Sequence, residues 1–148
     1  MTATVARGRV AITGALSFTG RYLATHLLDS GMASSVLNLS SRLVPISSHN
    51  LTRSHLDHID ARGLCFGDPA LLTRSLGDVD VLYCTYWNRF ERDGDTFSDT
   101  SDRCRILFRC ARDAGVRKVV FSAHTGMGKG DRFSYIAGKV RIISDACS

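Results

Sequence analysis

The stretch VAITGALSFTGRYLATHLL, residues 10–28, decides the fold of this chain. It begins with a short apolar run that predicts a strand over Val10–Thr13, and it continues through a turn into a predicted helix over Thr19–Ser30. Gly14 allows a sharp turn after the strand, and Gly20 allows the helix to pack closely against it. The start of such a helix offers unpaired N–H groups and the positive end of a dipole. The stretch therefore predicts a site for a pyrophosphate group, with a plain strand-to-helix turn as the alternative.

The rest of the chain alternates short apolar runs with segments of helical period. The further predicted strands are Val36–Leu39, Leu64–Phe66, Val79–Thr85 and Lys118–Ser122, and the further predicted helices are Pro69–Leu76, Asp99–Ala114 and one that begins near Phe133. Because parallel strands need crossover connections, this alternation predicts an α/β fold. We expect a Rossmann-type doubly wound parallel sheet of strand order 3-2-1-4-5, with its ligand at the carboxyl ends of strands one and four.

The composition is that of a single globular domain. The chain has 148 residues, of which 44% are hydrophobic and 22% charged, and a net charge of +5. This charge can favour anionic partners such as phosphates, nucleic acid or an acidic surface, and does not choose among them. The basic residues are scattered without aromatic interleaving, so we expect no nucleic-acid partner. No apolar run is long enough to span a membrane and no signal peptide is visible, so we expect no membrane partner and a cytoplasmic location. The cysteines lack CxxC spacing, and Cys65, Cys84 and Cys110 are predicted to be buried.

The polar stretch between the second and third predicted strands carries three histidines. His49, His55 and His58 lie there together with Asp57 and Asp60. These side chains include metal-ligating types, but their spacing matches no metal motif. We predict a solvated loop and no metal site.

The stretch TGALSFTGRYLA resembles the glycine turn TGAxSYTGRYIA of the atypical short-chain dehydrogenase/reductases, in the NAD(P)-dependent epimerase/dehydratase and NmrA-like group. The segments GDPALLTRSLGDVDVLY, TYWNRF and AGVRKVVFS resemble the same group in order and spacing, so the resemblance covers almost the whole chain. It implies that residues 1–148 form an NAD(P)-binding Rossmann-like domain. The turn residues that it places at the cofactor are Gly14, Ser17, Phe18, Thr19 and Gly20.

The end of the second predicted strand bears on the choice of cofactor. It reads NLSSR, residues 38–42, and has no acid that would hold the ribose diol of NAD. Ser41 and Arg42 suit a 2′-phosphate, so NADP is favoured over NAD, with a solvated loop arginine as the alternative. Members of this group often have an Asp near the adenine, after the third strand. By spacing, the matching position in this chain is Cys65. Phe66 beside it would pack on the adenine ring, or else in the core.

The reductases and epimerases of this group use a Tyr and a Lys four residues later. Tyr135 and Lys139 have this spacing, which on a helix puts both side chains on one face, where the ammonium lowers the pKa of the phenol. The group also places a Ser or Thr near the end of the fifth strand. Here that segment reads FSAHTG, with Ala123 or His124 at the matching position, and Thr125 would serve if the turn is shifted by one residue. This departure leaves catalysis open.

The resemblance implies more chain than is present. Members of the group continue through another strand and a C-terminal segment that forms much of the substrate pocket, whereas this sequence ends at Ser148. We therefore expect an incomplete domain whose fifth strand is an exposed edge and pairs in a homodimer. The leading hypothesis is an NAD(P)-binding, hydride-transferring oxidoreductase or epimerase of unknown small-molecule substrate. The alternatives are a non-catalytic NADP-sensing or binding module and an assembly subunit.

Overall fold

The computed structural model describes residues 8–15, 17–40, 51–85 and 97–121, which form one parallel sheet flanked by helices. In chain order the elements are β1 (Gly8–Thr13), α1 (Phe18–Asp29), β2 (Ala33–Ser40), α2 (Arg53–Leu56), β3 (Ile59–Gly63), α3 (Pro69–Ser75), β4 (Val81–Cys84), α4 (Phe97–Asp113) and β5 (Lys118–Phe121). The strand order is β3-β2-β1-β4-β5, and every pairing is parallel. The predicted Rossmann-type sheet and its strand order are therefore confirmed.

Two apolar layers cover the two faces of the sheet. The layer under α1 contains the buried residues Val10, Ile12, Ala24, Leu27 and Val36. The layer under α3 and α4 contains the buried residues Ala11, Leu37, Leu72, Leu82 and Leu107. Alternate residues of β1 and β2 enter opposite layers, so both strands are buried along most of their length.

The third strand is not where the sequence predicted it. It spans Ile59–Gly63 instead of Leu64–Phe66, and Ile59 alone among its five residues is buried. It lies at the edge of the sheet and pairs with β2, so it carries polar side chains and shows no apolar run. The apolar residues that suggested a strand lie in the loop after it, where Leu64 is buried and Phe66 packs against the α3–α4 layer.

This shift also corrects the environment of one cysteine. Cys65 lies in the loop after β3 and is exposed, contrary to the prediction. Cys84 on β4 and Cys110 on α4 are buried, as predicted. In the described ranges no helix is long and apolar enough to cross a membrane. Over the same ranges β5 is the last strand of the sheet, and pairing of this edge in a homodimer stays a prediction.

The stretch predicted as an irregular loop contains α2 and the start of β3. His55 lies on α2: its Nε2 atom is 2.7 Å from Asp29 Oδ1 at the end of α1, and its Nδ1 atom is 3.0 Å from Thr52 Oγ1 just before α2. These contacts give the histidine a structural role that joins α1 to α2. Where the structure describes the chain, no three His, Cys, Asp or Glu side chains are grouped so as to hold a metal ion, and His49 lies outside it.

A cluster of ion pairs holds the amino ends of the strands together. Arg9 on β1 contacts the carboxylates of Asp60 on β3 and Asp78 before β4. The backbone N–H of Arg9 donates to Asp80 Oδ2 at 3.1 Å, and the other oxygen of Asp80 lies 3.1 Å from Arg117 Nη2. The cluster therefore joins the amino ends of β1, β3, β4 and β5, at the end of the sheet opposite the glycine turn.

The cluster makes stability depend on pH through Asp78. Burial acts to raise the pKa of this carboxyl, but the charges of Arg9 and Arg62 and a hydrogen bond from Arg9 outweigh it and hold the pKa below the ordinary value of 3.8. Because the folded state has the lower pKa, this contribution to stability is present above the ordinary pKa and is lost as the pH falls through the folded-state value. We expect Asp78→Asn to lower the free energy of unfolding modestly at neutral pH, since the carboxylate is half exposed.

Urea denaturation at a series of pH values measures this effect. The difference between Asp78→Asn and the unaltered chain should shrink as the pH falls below about 4. The matched control is Asp57→Asn, which removes an exposed carboxylate from the turn after α2. A difference that stays constant down to strong acid would contradict the role of the ion pairs.

Candidate functional site

The sheet reverses its direction of growth at β1. From β1 the chain builds β2 and β3 on one side, and it then returns to place β4 and β5 on the other side. The strand order thus reverses at β1, between β2 on one side and β4 on the other, and open parallel sheets bind ligands in a crevice at the carboxyl ends of the strands at such a point. The glycine turn follows the carboxyl end of β1, and Thr85 follows the carboxyl end of β4.

Gly14 makes the sharp turn that the sequence predicts. Its φ angle is +67°, a left-handed conformation that glycine adopts without steric cost. The N–H of Gly14 donates to the carbonyl of Leu39 on β2 at 2.8 Å, and the carbonyl of Gly14 accepts from the N–H of Ser17 at 2.9 Å. The turn is thus tied to the neighbouring strand and closed on itself.

Ser17 and Gly20 shape the start of α1. Ser17 is the N-cap, and its Oγ atom accepts the N–H of Gly20 at 3.1 Å. Gly20 lies so close to the turn that a Cβ atom built there would stand 2.0 Å from the carbonyl oxygen of Gly14 and 2.8 Å from the Cα atom of Ala15. A side chain at Gly20 is therefore incompatible with this approach of helix and turn.

The first turn of α1 has the donors that an anionic group needs. The first N–H groups of an α-helix have no carbonyl partner within the helix. Since Ser17 Oγ satisfies Gly20, the N–H groups of Phe18 and Thr19 are the ones that the helix start offers to a ligand. The first turn contains no acidic residue, so no carboxylate offsets the positive end of the helix dipole there. This arrangement suits the oxygens of a phosphate group.

Two buried polar residues support the turn, and sequence analysis missed both. Thr85 donates its backbone N–H to Thr13 Oγ1 at 2.8 Å and its hydroxyl to the carbonyl of Thr13, which joins the carboxyl ends of β1 and β4. Asn38 on β2 accepts the N–H of Ala15 through Oδ1 at 2.9 Å. Thr13 and Asn38 are 1% and 3% exposed. Thr13 directly follows the apolar run Val10–Ile12, and Asn38 interrupts the apolar run of residues 36–39, and that is the signal that would have identified them.

The structure brings together the predicted residues of the glycine turn and leaves others undescribed. Gly14, Ser17, Thr19 and Gly20 lie at the end of β1, with Ser17 and Thr19 exposed and Gly20 buried. Phe66 is half-buried in the α3–α4 layer, so the core-packing interpretation describes its observed contacts. Several predicted residues lie outside the described part of the chain: Ser41, Arg42, Thr125, Tyr135 and Lys139.

Comparison with solved structures shows which proteins share this architecture. The triphenylmethane reductase of Citrobacter sp., in complex with NADP(H), superposes with a TM-score of 0.71 at 16% identity over 93% of this chain and 44% of that one. The NADPH-dependent quinone oxidoreductase of Escherichia coli, in complex with NADPH, has a TM-score of 0.67 at 20% identity over 93% of this chain and 45% of that one. A short-chain dehydrogenase/reductase of Veillonella parvula, in complex with NADP, has a TM-score of 0.63 at 12% identity over 93% of this chain and 62% of that one.

Comparisons by sequence find no such relatives. No protein-family model matches the chain, and no curated protein matches its sequence. The likeness to the solved structures is one of architecture, since the identities lie between 12% and 20%. The chain spans less than half the length of the first two of these structures. It has the Rossmann-type fold of these reductases.

Proposed function

We propose that the chain binds NAD(P) at the crevice beside β1, as the nucleotide-binding part of an oxidoreductase or epimerase of the short-chain dehydrogenase/reductase type. The observation that carries this proposal is the glycine turn after β1, where the strand order reverses. Gly14 makes the sharp turn there, and Gly20 allows the start of α1 to approach that turn closely. The pyrophosphate would accept hydrogen bonds from the N–H groups of Phe18 and Thr19, and the exposed residues Ser17 and Thr19 would lie beside it.

NADP is the cofactor that the chain favours. The strand β2 ends at Ser40 without an acid that would bind a ribose diol. Ser41 and Arg42 follow directly, and a guanidinium offers paired hydrogen bonds to a 2′-phosphate. Three similarly folded proteins are bound to NADP(H), which supports the same choice here. Phe66, at the loop after β3, would lie near the adenine.

The catalytic residues that we propose are Tyr135, Lys139 and Thr125. The nicotinamide ring supplies or accepts hydride when bound. Tyr135 would give a proton to a substrate carbonyl oxygen, or take one from a hydroxyl, while Lys139 stabilises the phenolate and Thr125 donates a hydrogen bond to the substrate oxygen. The substrate would be a small molecule with a carbonyl or hydroxyl group.

A non-catalytic NADP-binding module is the second candidate function. The segment FSAHTG favours it, because Ala123 or His124 stands where the resemblance implies a Ser or Thr. The two candidates share the nucleotide site and differ in turnover. Nucleotide binding is therefore the first property to test, and an assembly subunit without a ligand is what remains if binding is absent.

Calorimetric titration of the chain with NADPH and then NADH tests the proposal. We expect both to bind, NADPH more tightly, and we expect Gly14→Val to weaken both by about tenfold or more, because a β-branched residue in the left-handed conformation costs roughly 1–3 kcal/mol. Gly63→Val is the matched control, since a Cβ atom at Gly63 meets nothing within 4 Å. Binding of neither nucleotide by the unaltered chain would reject the proposed function.

A further inference from the structure

We infer that Asn38 is a positioning residue for the nucleotide: it holds the glycine turn in the conformation that binds pyrophosphate. The inference rests on the proposed function, since it concerns the same turn. Asn38 lies near the carboxyl end of β2, 23 positions after the turn residue that it contacts. Its Oδ1 atom accepts the N–H of Ala15 at 2.9 Å, and this contact joins a side chain of one strand to the backbone of the turn after another.

Asn38 is buried in apolar surroundings. It pairs in register with Ile12 and follows Val36 by two residues, so it faces the layer under α1 to which both of those residues belong. Asn38 is 3% exposed and Ala15 is fully buried. A buried amide oxygen and a buried N–H each destabilise the fold unless they are hydrogen-bonded. The bond between them satisfies the Oδ1 atom of Asn38 and the N–H of Ala15, and a displaced turn would break it.

The turn is therefore attached to β2 at two consecutive positions. The N–H of Gly14 donates to the carbonyl of Leu39, and the N–H of Ala15 donates to Asn38 Oδ1. The first attachment uses the backbone and is available to any sequence, whereas the second requires an acceptor at Asn38. Because glycine has more backbone freedom than other residues, the second attachment adds to the two backbone hydrogen bonds of Gly14 and holds the turn in one conformation before the nucleotide arrives.

The affinities for NADPH and NADH in Asn38→Ala test this inference. We expect both to weaken by about the same factor, roughly tenfold, because the two nucleotides share the pyrophosphate and the lost bond leaves a buried N–H unsatisfied. Val36→Ala is the matched control: it removes a buried side chain from the same face of the same strand without touching the turn. It should lower stability and leave both affinities close to those of the unaltered chain.

Amide hydrogen exchange at Ala15 supplies a readout that does not depend on the nucleotide. Exchange should accelerate in Asn38→Ala and stay slow in Asn38→Asp, which keeps the accepting oxygen. If Asn38→Ala does not fold, Asn38→Leu fills the space without an acceptor and is measured in its place.

The outcomes separate the inference from the proposed function. Affinities in Asn38→Ala that equal those in Val36→Ala, or a loss confined to NADPH, would overturn the role of Asn38 while nucleotide binding stands. Fast exchange of Ala15 in Asn38→Asp would overturn it as well. Failure of the unaltered chain to bind either nucleotide would overturn the proposed function, and the inference with it.

Discussion

Gly20→Ala is expected to lower the free energy of unfolding by about 3 kcal/mol and to remove measurable NADPH binding. The added Cβ atom would stand 2.0 Å from the carbonyl oxygen of Gly14 and 2.8 Å from the Cα atom of Ala15. Both neighbours are backbone atoms, so no side chain can rotate away and the helix start must move from the turn. The better helix propensity of alanine offsets roughly 1 kcal/mol at most.

The displacement matters for binding because two sets of groups must converge on one pyrophosphate. The N–H groups of Phe18 and Thr19 belong to the helix, whereas the sharp bend at Gly14 belongs to the turn. A helix that moves by more than about 1 Å no longer directs its donors to the anion with hydrogen-bonding geometry. Binding should therefore be lost even at a temperature where the variant remains folded.

Gly63→Ala is the matched control for this experiment. Gly63 ends the edge strand β3, its backbone does not have a positive φ angle, and a Cβ atom there meets nothing within 4 Å. Chemical denaturation and calorimetric titration of the two variants should show a large loss for Gly20→Ala and almost none for Gly63→Ala. Similar behaviour of the two would mean that the close approach of α1 to the turn is not required.

The glycine turn was predictable because its requirements are local. Gly14 and Gly20 lie six residues apart within one strand–turn–helix unit, and the pattern of small and apolar residues determines the path of the chain there. The central strands were predictable for a similar reason. They are buried on both faces, so an apolar run marks them in the sequence even though the predicted ends differ from the observed ones by up to three residues.

The edge strand and the support of the turn were not predictable in this way. β3 forms because its backbone pairs with that of β2. This pairing does not require apolar side chains, so Asp60 and Arg62 give no apolar pattern in the sequence. Asn38 contacts a residue 23 positions earlier, so its role becomes visible when β1 and β2 are side by side. Residues whose partners are distant along the chain carry little local signal, although a polar residue that interrupts a short apolar run is a sign worth following.

Tyr135→Phe is expected to lower turnover by about 100-fold or more, because general acid–base catalysis by a positioned side chain contributes that much. The substitution removes the phenolic oxygen and keeps the ring, so NADPH affinity should remain unchanged. The assay follows oxidation of NADPH by the full chain with a quinone and a triphenylmethane dye as trial acceptors. These are the substrate classes that the names of two similarly folded reductases indicate.

The control for this experiment is Tyr22→Phe. Tyr22 lies on α1 with 57% of its surface exposed, and the same loss of a phenolic oxygen there should leave turnover unchanged. If the unaltered chain turns over and Tyr135→Phe retains that turnover in full, the proposed proton transfer is rejected. The proposed nucleotide site is not affected by that result. Tight NADPH binding without turnover on either acceptor would favour the binding module, because a chain that preserves the turn but departs from the group at FSAHTG would hold the nucleotide without positioning a substrate oxygen.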